Sequence, residues 1–175
     1  GPLYNAASCA ACHAARESMF GAGLAPGTIV RLGNDKGEGD PVYGRQLQTR
    51  ATAGQLPEGM PVLRWSAVSA IRTPLLTVDR LSYGVLAAPT KYALRRAPDL
   101  SGSGLLAAVP EKNIFAIAEA QKRAGNGVAG KPSWREINGK RVLGRFGWRA
   151  LTPDLMSQTA LAFSLDMGLS TALYP

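Results

Sequence analysis

Hydrophobic and polar positions change their period several times along this chain. The alanine-rich stretch from Ala6 to Met19 reads as a helix, with Asn5 or Ser8 as its cap and Gly21-Ala22-Gly23 as its stop. Alternation then takes over, and Thr28-Ile29-Val30-Arg31-Leu32 predicts a short strand ahead of a polar glycine loop from Gly33 to Asp40. Between Pro41 and Thr90 the chain reads as mostly extended, because Pro41, Pro57, Pro61, Pro74 and Pro89 break any helix. Val62-Leu63-Arg64-Trp65 and Leu75-Leu76-Thr77-Val78 suit short strands there.

Further along, Pro110-Glu111 opens a helix that carries Ile114, Ile117, Ala118 and Gln121 to about Ala124, where Gly125 ends it. Thr152 as cap, Pro153 at the first position and Asp154 against the dipole predict another helix reaching about Asp166, with Gly168 as stop. Between them, Trp134-Arg135-Glu136-Ile137 and Lys140-Arg141-Val142-Leu143 flank Asn138-Gly139, a strong hairpin signal. The glycine-rich run from Gly125 to Gly130 contains no carboxylate, so it reads as a turn and not as a calcium loop.

At 175 residues, with 46% apolar and 18% charged positions, the chain suits a single domain spanning 1–175. Twenty glycines and twelve prolines point to many turns. The net charge of +8 favours an acidic partner. Nucleic acid is not expected, since Lys and Arg are scattered, are densest at Arg95-Arg96 and Lys140-Arg141, and accompany no nucleic-acid motif. No apolar run is long enough for a membrane span.

The chemistry concentrates in Cys9-Ala10-Ala11-Cys12-His13, which holds both cysteines and the one histidine of the chain. C-x-x-C-H is the attachment signature of a c-type haem: two thiols within one helical turn form thioethers to the vinyl groups, and the imidazole becomes the proximal iron ligand. A zinc site would need a fourth ligand from elsewhere. A thioredoxin-like pair expects a strand before the motif, and the segment preceding Cys9 is short. A disulfide between Cys9 and Cys12 is the remaining alternative. The haem reading implies export before attachment, hence a periplasmic location. With Gly1-Pro2 opening directly into the motif, the chain is expected to be a mature or truncated piece. The expected fold class is mainly α with short β segments and many loops, a cytochrome c-like haem domain with a β-hairpin insertion.

Several segments together resemble a known family. Gly1-Pro2-Leu3-Tyr4-Asn5-Ala6-Ala7-Ser8 before the motif and Pro41-Val42-Tyr43-Gly44-Arg45-Gln46-Leu47-Gln48 after it are similar to the front of the bacterial di-haem oxidoreductases, also called di-haem thiol oxidoreductases. Gly104 to Glu111, Leu143 to Ala150 and Asp166-Met167-Gly168-Leu169 follow in the family's order. Family members carry a second CxxCH in a C-terminal domain resembling bacterial cytochrome c peroxidases. The resemblance therefore implies a first-haem portion whose second haem lies in another domain or chain.

Function then turns on the sixth iron position, because a second protein ligand suits electron transfer whereas an open site admits peroxide. Met19, Met60, Met156 and Met167 are the available sulfurs, of which Met60 and Met167 are the candidate ligands. An open site would call on Glu58 or Asp99 for proton transfer and on Arg72, Arg95 or Arg145 for charge stabilisation. Trp148 and Arg145 are the candidate haem contacts, Trp65 and Trp134 reading as core. Electron transfer through one covalent haem c, to a redox partner or a second haem domain, is the expected function. Peroxidase-like or thiol-oxidising catalysis is the alternative, and a structural haem module is a third.

Overall fold

The computed structural model of the chain describes residues 1–13, 24, 27–66 and 73–175. In chain order its elements are β1 (Leu3–Tyr4), α1 (Cys9–His13), β2 (Thr28–Gly33), β3 (Gln46–Leu47), β4 (Arg50–Ala51), β5 (Met60–Ser66), β6 (Thr73–Asp79), β7 (Lys91–Arg96), α2 (Ser103–Ala108), α3 (Glu111–Ala124), β8 (Trp134–Ile137), β9 (Lys140–Leu143) and α4 (Leu155–Met167). Among the described residues strand makes up 28%, spread over several small sheets, and helix 24%, which corrects the expectation of a mainly α, cytochrome c-like haem domain with a hairpin insertion. The physical reason lies in the middle of the chain. Prolines forbid helix there, and the alternating Leu, Val and Thr positions of β5 and β6 pair antiparallel from Met60↔Asp79 to Ser66↔Thr73. Because that sheet has two strands, each has an open edge, and Pro61 and Pro74 fit without costing a ladder bond.

The chain forms two compact units. The first comprises residues 1–99 and 163–170. Its three-stranded sheet has the order β3-β2-β7. Val30 pairs with Leu47 on one side and with Leu94 on the other, so alternation sends Val30, Leu32, Leu47 and Leu94 to one face. Tyr43, Leu76, Val78, Leu81 and Leu86 complete the core over that face. Val30 and Leu47 are the large side chains most completely removed from water, each contributing about 2 kcal/mol of burial. The opposite face receives Ile29, Arg31, Gln46 and Arg95.

The loop between β2 and β3 is organised by Asp40, which is 3% exposed. Its Oδ1 accepts the N–H groups of Val42 and Tyr43 at 2.9 and 3.1 Å, and its Oδ2 accepts the Ala87 N–H and the Thr90 hydroxyl at 2.9 and 2.8 Å. Burial pushes the carboxyl pKa up, but these four hydrogen bonds together hold it below the ordinary value.

The second unit comprises residues 100–162 and 171–175. Its β8–β9 hairpin turns through Asn138 and Gly139, whose φ angles of 51° and 70° are those of a type I′ turn. Phe115 of α3 stacks on Trp134 at 5.5 Å, and the Arg141 guanidinium lies 4.3 Å from the same ring. Asp154 caps α4, its Oδ1 accepting the Ser157 N–H at 2.7 Å. Thr152, the expected cap, is instead buried, with its hydroxyl donating to Gln158 Oε1. The helix consequently begins at Leu155. Residues 163–167 of α4 belong to the first unit.

Asp40→Asn is expected to destabilise the protein by about 2 kcal/mol at pH 7, the scale of charged hydrogen bonds weakened at a buried site. A carboxyl with a lowered folded pKa contributes stability above its unfolded value, about 3.9, and loses it as pH falls through the folded value. Urea midpoints of wild type and variant should therefore converge only as pH falls below the ordinary carboxyl range.

Candidate functional site

The CxxCH residues form α1, none of whose described side chains is buried. Ser8 caps it, its hydroxyl accepting the Ala11 N–H at 3.2 Å. The extension of this helix to Met19 and its glycine stop lie outside the described residues, as do Met19 and Arg72.

What fixes α1 is a set of polar attachments on either side of it. The N–H groups of Asn5 and Ala6 both donate to the Asp166 carbonyl, at 2.7 and 3.0 Å. Asn5 Oδ1 accepts from the Thr49 N–H and hydroxyl, and Asn5 Nδ2 donates to Gln48 Oε1 at 2.7 Å. Gln46 and Gln48 both donate to the Leu165 carbonyl, at 3.0 and 2.8 Å. Gly168, with φ of 64°, ends α4, and a Cβ there would overlap the Leu3 carbonyl oxygen. At the other end, a Cβ on Gly27 would overlap the Cys12 carbonyl oxygen, and Gly27 also has φ of 76°. Only glycine admits both the turn and that close approach.

His13 is oriented by a bond across the chain: its Nδ1 lies 2.6 Å from the Pro98 carbonyl, 85 residues away. A carbonyl can only accept, so Nδ1 carries a proton, which leaves Nε2 as the ring nitrogen available to a metal. Both cysteines are free thiols, Cys9 exposed and Cys12 half-buried. Burial pushes the Cys12 thiol pKa up, Asp166 and Cys9 add to the rise, and Arg50 opposes it. Two free thiols one turn apart and an imidazole with a fixed tautomer fit a covalently attached haem. In chemical terms the thiols would hold the ring and Nε2 would bind the iron.

Asp166 is the charged group that joins these parts. Its Oδ1 accepts from Gln46 Nε2 at 2.7 Å, and Gln46 Oε1 in turn accepts from Arg31 Nη1 at 2.9 Å. Burial pushes the Asp166 carboxyl pKa up, against the Gln46 hydrogen bond and the positive charges of Arg31 and His13. Sequence reading named neither Asp166, Gln46, Gln48 nor Arg31 as site residues. A signal was present in the alternation of Gln46-Leu47-Gln48, which places two amides on the side away from the core.

The remaining candidates are more dispersed. Met167 is the last residue of α4 and half-buried. Met60 opens β5, is 50% exposed, and lines a shallow pocket of about 260 Å³ with Thr49, Leu56 and Arg80. Glu58 is buried, and its Oε2 accepts the Gln48 N–H at 2.6 Å, so it straps the strand that holds the site. Asp99 follows the Pro98 that anchors His13. Arg145 and Trp148 belong to the second unit. Arg145 donates through Nη1 to the carbonyls of Leu106, Ala107 and Val109 at the end of α2. Trp148 is 49% exposed on a turn where Arg149 and Ala150 both have positive φ.

Gln46 is 3% exposed and satisfies three half-buried partners, so Gln46→Leu leaves Asp166, Arg31 and the Leu165 carbonyl short of a bond. The expected cost is about 3 kcal/mol of unfolding free energy, checked by urea denaturation.

Among the described residues, no helix is long and apolar enough to cross a membrane. Comparison with known proteins finds no match among curated proteins or solved structures. A family model described as "Di-haem oxidoreductase, putative peroxidase" matches residues 77–175, more than half of the chain. The matched span includes Pro98, Arg145, Trp148, Asp166 and Met167, and α1 precedes it. By this match the chain belongs to the di-haem oxidoreductase family, whose name implies haem binding.

Proposed function

We propose that this chain is the first-haem portion of a periplasmic di-haem oxidoreductase or larger redox complex, holding one haem c covalently and passing electrons through it. The observation that carries the reading is the His13 Nδ1 contact with the Pro98 carbonyl at 2.6 Å, next to two free thiols on one helical turn. In this reading Cys9 and Cys12 fix the ring, and His13 gives Nε2 to the iron while the Pro98 carbonyl holds the imidazole from behind. A haem so held supplies one-electron chemistry. Met167, next to the Asp166 whose charge reaches both Cys12 and His13, is the preferred sixth ligand, with Met60 as the alternative. The net charge of +8 favours an acidic redox partner. A peroxidase-like reading draws on the family's name and requires an open sixth position.

Produced in a host that matures c-type cytochromes, the chain is expected to show an intact mass above 18.4 kDa by one haem. Cys9→Ser with Cys12→Ser should return the mass to that of the bare chain, and a wild type at bare mass would refute covalent haem. The oxidised haem-loaded protein should give a low-spin absorption spectrum that neither cyanide nor peroxide changes. A spectrum that either reagent shifts would decide for catalysis at this haem.

A further inference from the structure

The positive charge of this chain is unevenly placed. Between Lys122 and Arg149 stand eight Lys and Arg and a single acid, Glu136, so this stretch carries nearly all of the net charge of +8. It lies wholly within the second unit and comprises the end of α3, the β8–β9 hairpin and the turn beyond it. Lys122, Arg123, Lys131, Lys140, Arg141 and Arg149 are exposed, and none of them is ion-paired among the described residues. The Gly130 N–H donates to Gln121 Oε1 at 2.7 Å, which brings the chain just before Lys131 back against the last turn of α3. Like charges gathered in this way repel one another, and folding alone gives no reason to gather them. The hairpin also frames a concavity of about 400 Å³ lined by Trp134, Arg135, Glu136, Gly139 and Arg141. Trp134 is 40% exposed there, yet its ring is held by Phe115 and by the Arg141 guanidinium. A partly exposed tryptophan held rigid and bordered by arginine matches the centre of a protein–protein interface. Nucleic acid fits less well, because unpaired bases need an open aromatic face and Phe115 already stacks on Trp134. Edge cations also keep a two-stranded hairpin from pairing with other copies, but that role calls for no exposed aromatic ring.

We propose that the β8–β9 hairpin, with Lys131 and the basic end of α3, is a docking face for the acidic surface of a partner protein. That the partner exchanges electrons rests on the haem reading above, whereas the docking rests on the charge and the aromatic centre. Glu136 stands opposite Arg141 in the hairpin register and offsets one cation, so Lys131 and Lys140 are the groups that meet the partner's carboxylates. Attraction between exposed charges guides the encounter and weakens with salt.

The test is the binding of fluorescently labelled poly-L-glutamate to the full chain, read by anisotropy at pH 7 and low ionic strength. Wild type should bind, and added salt should release the probe. Lys131→Glu with Lys140→Glu should weaken binding about tenfold. Lys36→Glu with Arg64→Glu makes the same change of net charge at exposed positions of the first unit, and should weaken it less than about twofold. No binding by wild type, or equal weakening by the two double variants, would overturn the docking face. Should the hairpin variant fail to fold, Lys131→Gln with Lys140→Gln decides: it must weaken binding about threefold, and wild-type affinity overturns the face. A single-stranded oligonucleotide of about twenty bases and phosphatidylglycerol vesicles distinguish other polyanions from an acidic protein. Either one bound more tightly than polyglutamate, and released by the hairpin substitutions, overturns the choice of partner. Intact mass separates the two readings. A wild type at bare mass refutes the haem and with it the redox character of the partner, whereas haem-loaded protein that ignores polyglutamate overturns the docking face alone.

Discussion

The haem chemistry proposed for this molecule depends on holding α1 in place. None of its described side chains is buried, so they supply no hydrophobic face to hold it. Its position comes from polar attachments: the Asp166 carbonyl takes the N–H groups of Asn5 and Ala6, and the Pro98 carbonyl takes His13. Each attachment is worth about 1 kcal/mol, and together they act through a sheet that is itself well packed. Apolar burial on one face of β2 supplies the rigidity, and amides on the other spend it on geometry.

Local structure was legible wherever the signal was local. β2, the β5–β6 pair, the Asn138-Gly139 hairpin and α3 ending at Gly125 stand where alternation, turn residues and caps place them. β7 was missed because Lys91-Tyr92-Ala93-Leu94-Arg95-Arg96 is too polar to read as a strand by itself. It pairs with β2 along its whole length and becomes one by partnership. α2 was missed because it is six residues long, between Gly102 in the left-handed region and Pro110. The fold class failed for a different reason: a haem motif suggested the helical class it most often accompanies, whereas the composition around it favours small sheets.

The site was half legible. Residue types able to bind a haem are visible in one pentapeptide, but Asp166, Gln46, Arg31 and Pro98 reach it from distant parts of the chain. A glutamine or an arginine in a strand has no signature that distinguishes a structural role from a solvated one. Arg145 shows the converse. Named as a candidate haem contact, it also closes the last carbonyls of a short helix, a role with no signal in the sequence.

The separation of 85 residues between His13 and Pro98 also bears on when the site comes into being. Closing a loop that long costs conformational entropy that one hydrogen bond cannot offset, so the bond must wait for the strands between to assemble. The pentapeptide is contiguous in sequence, but its geometry has to wait for contacts that close late in folding.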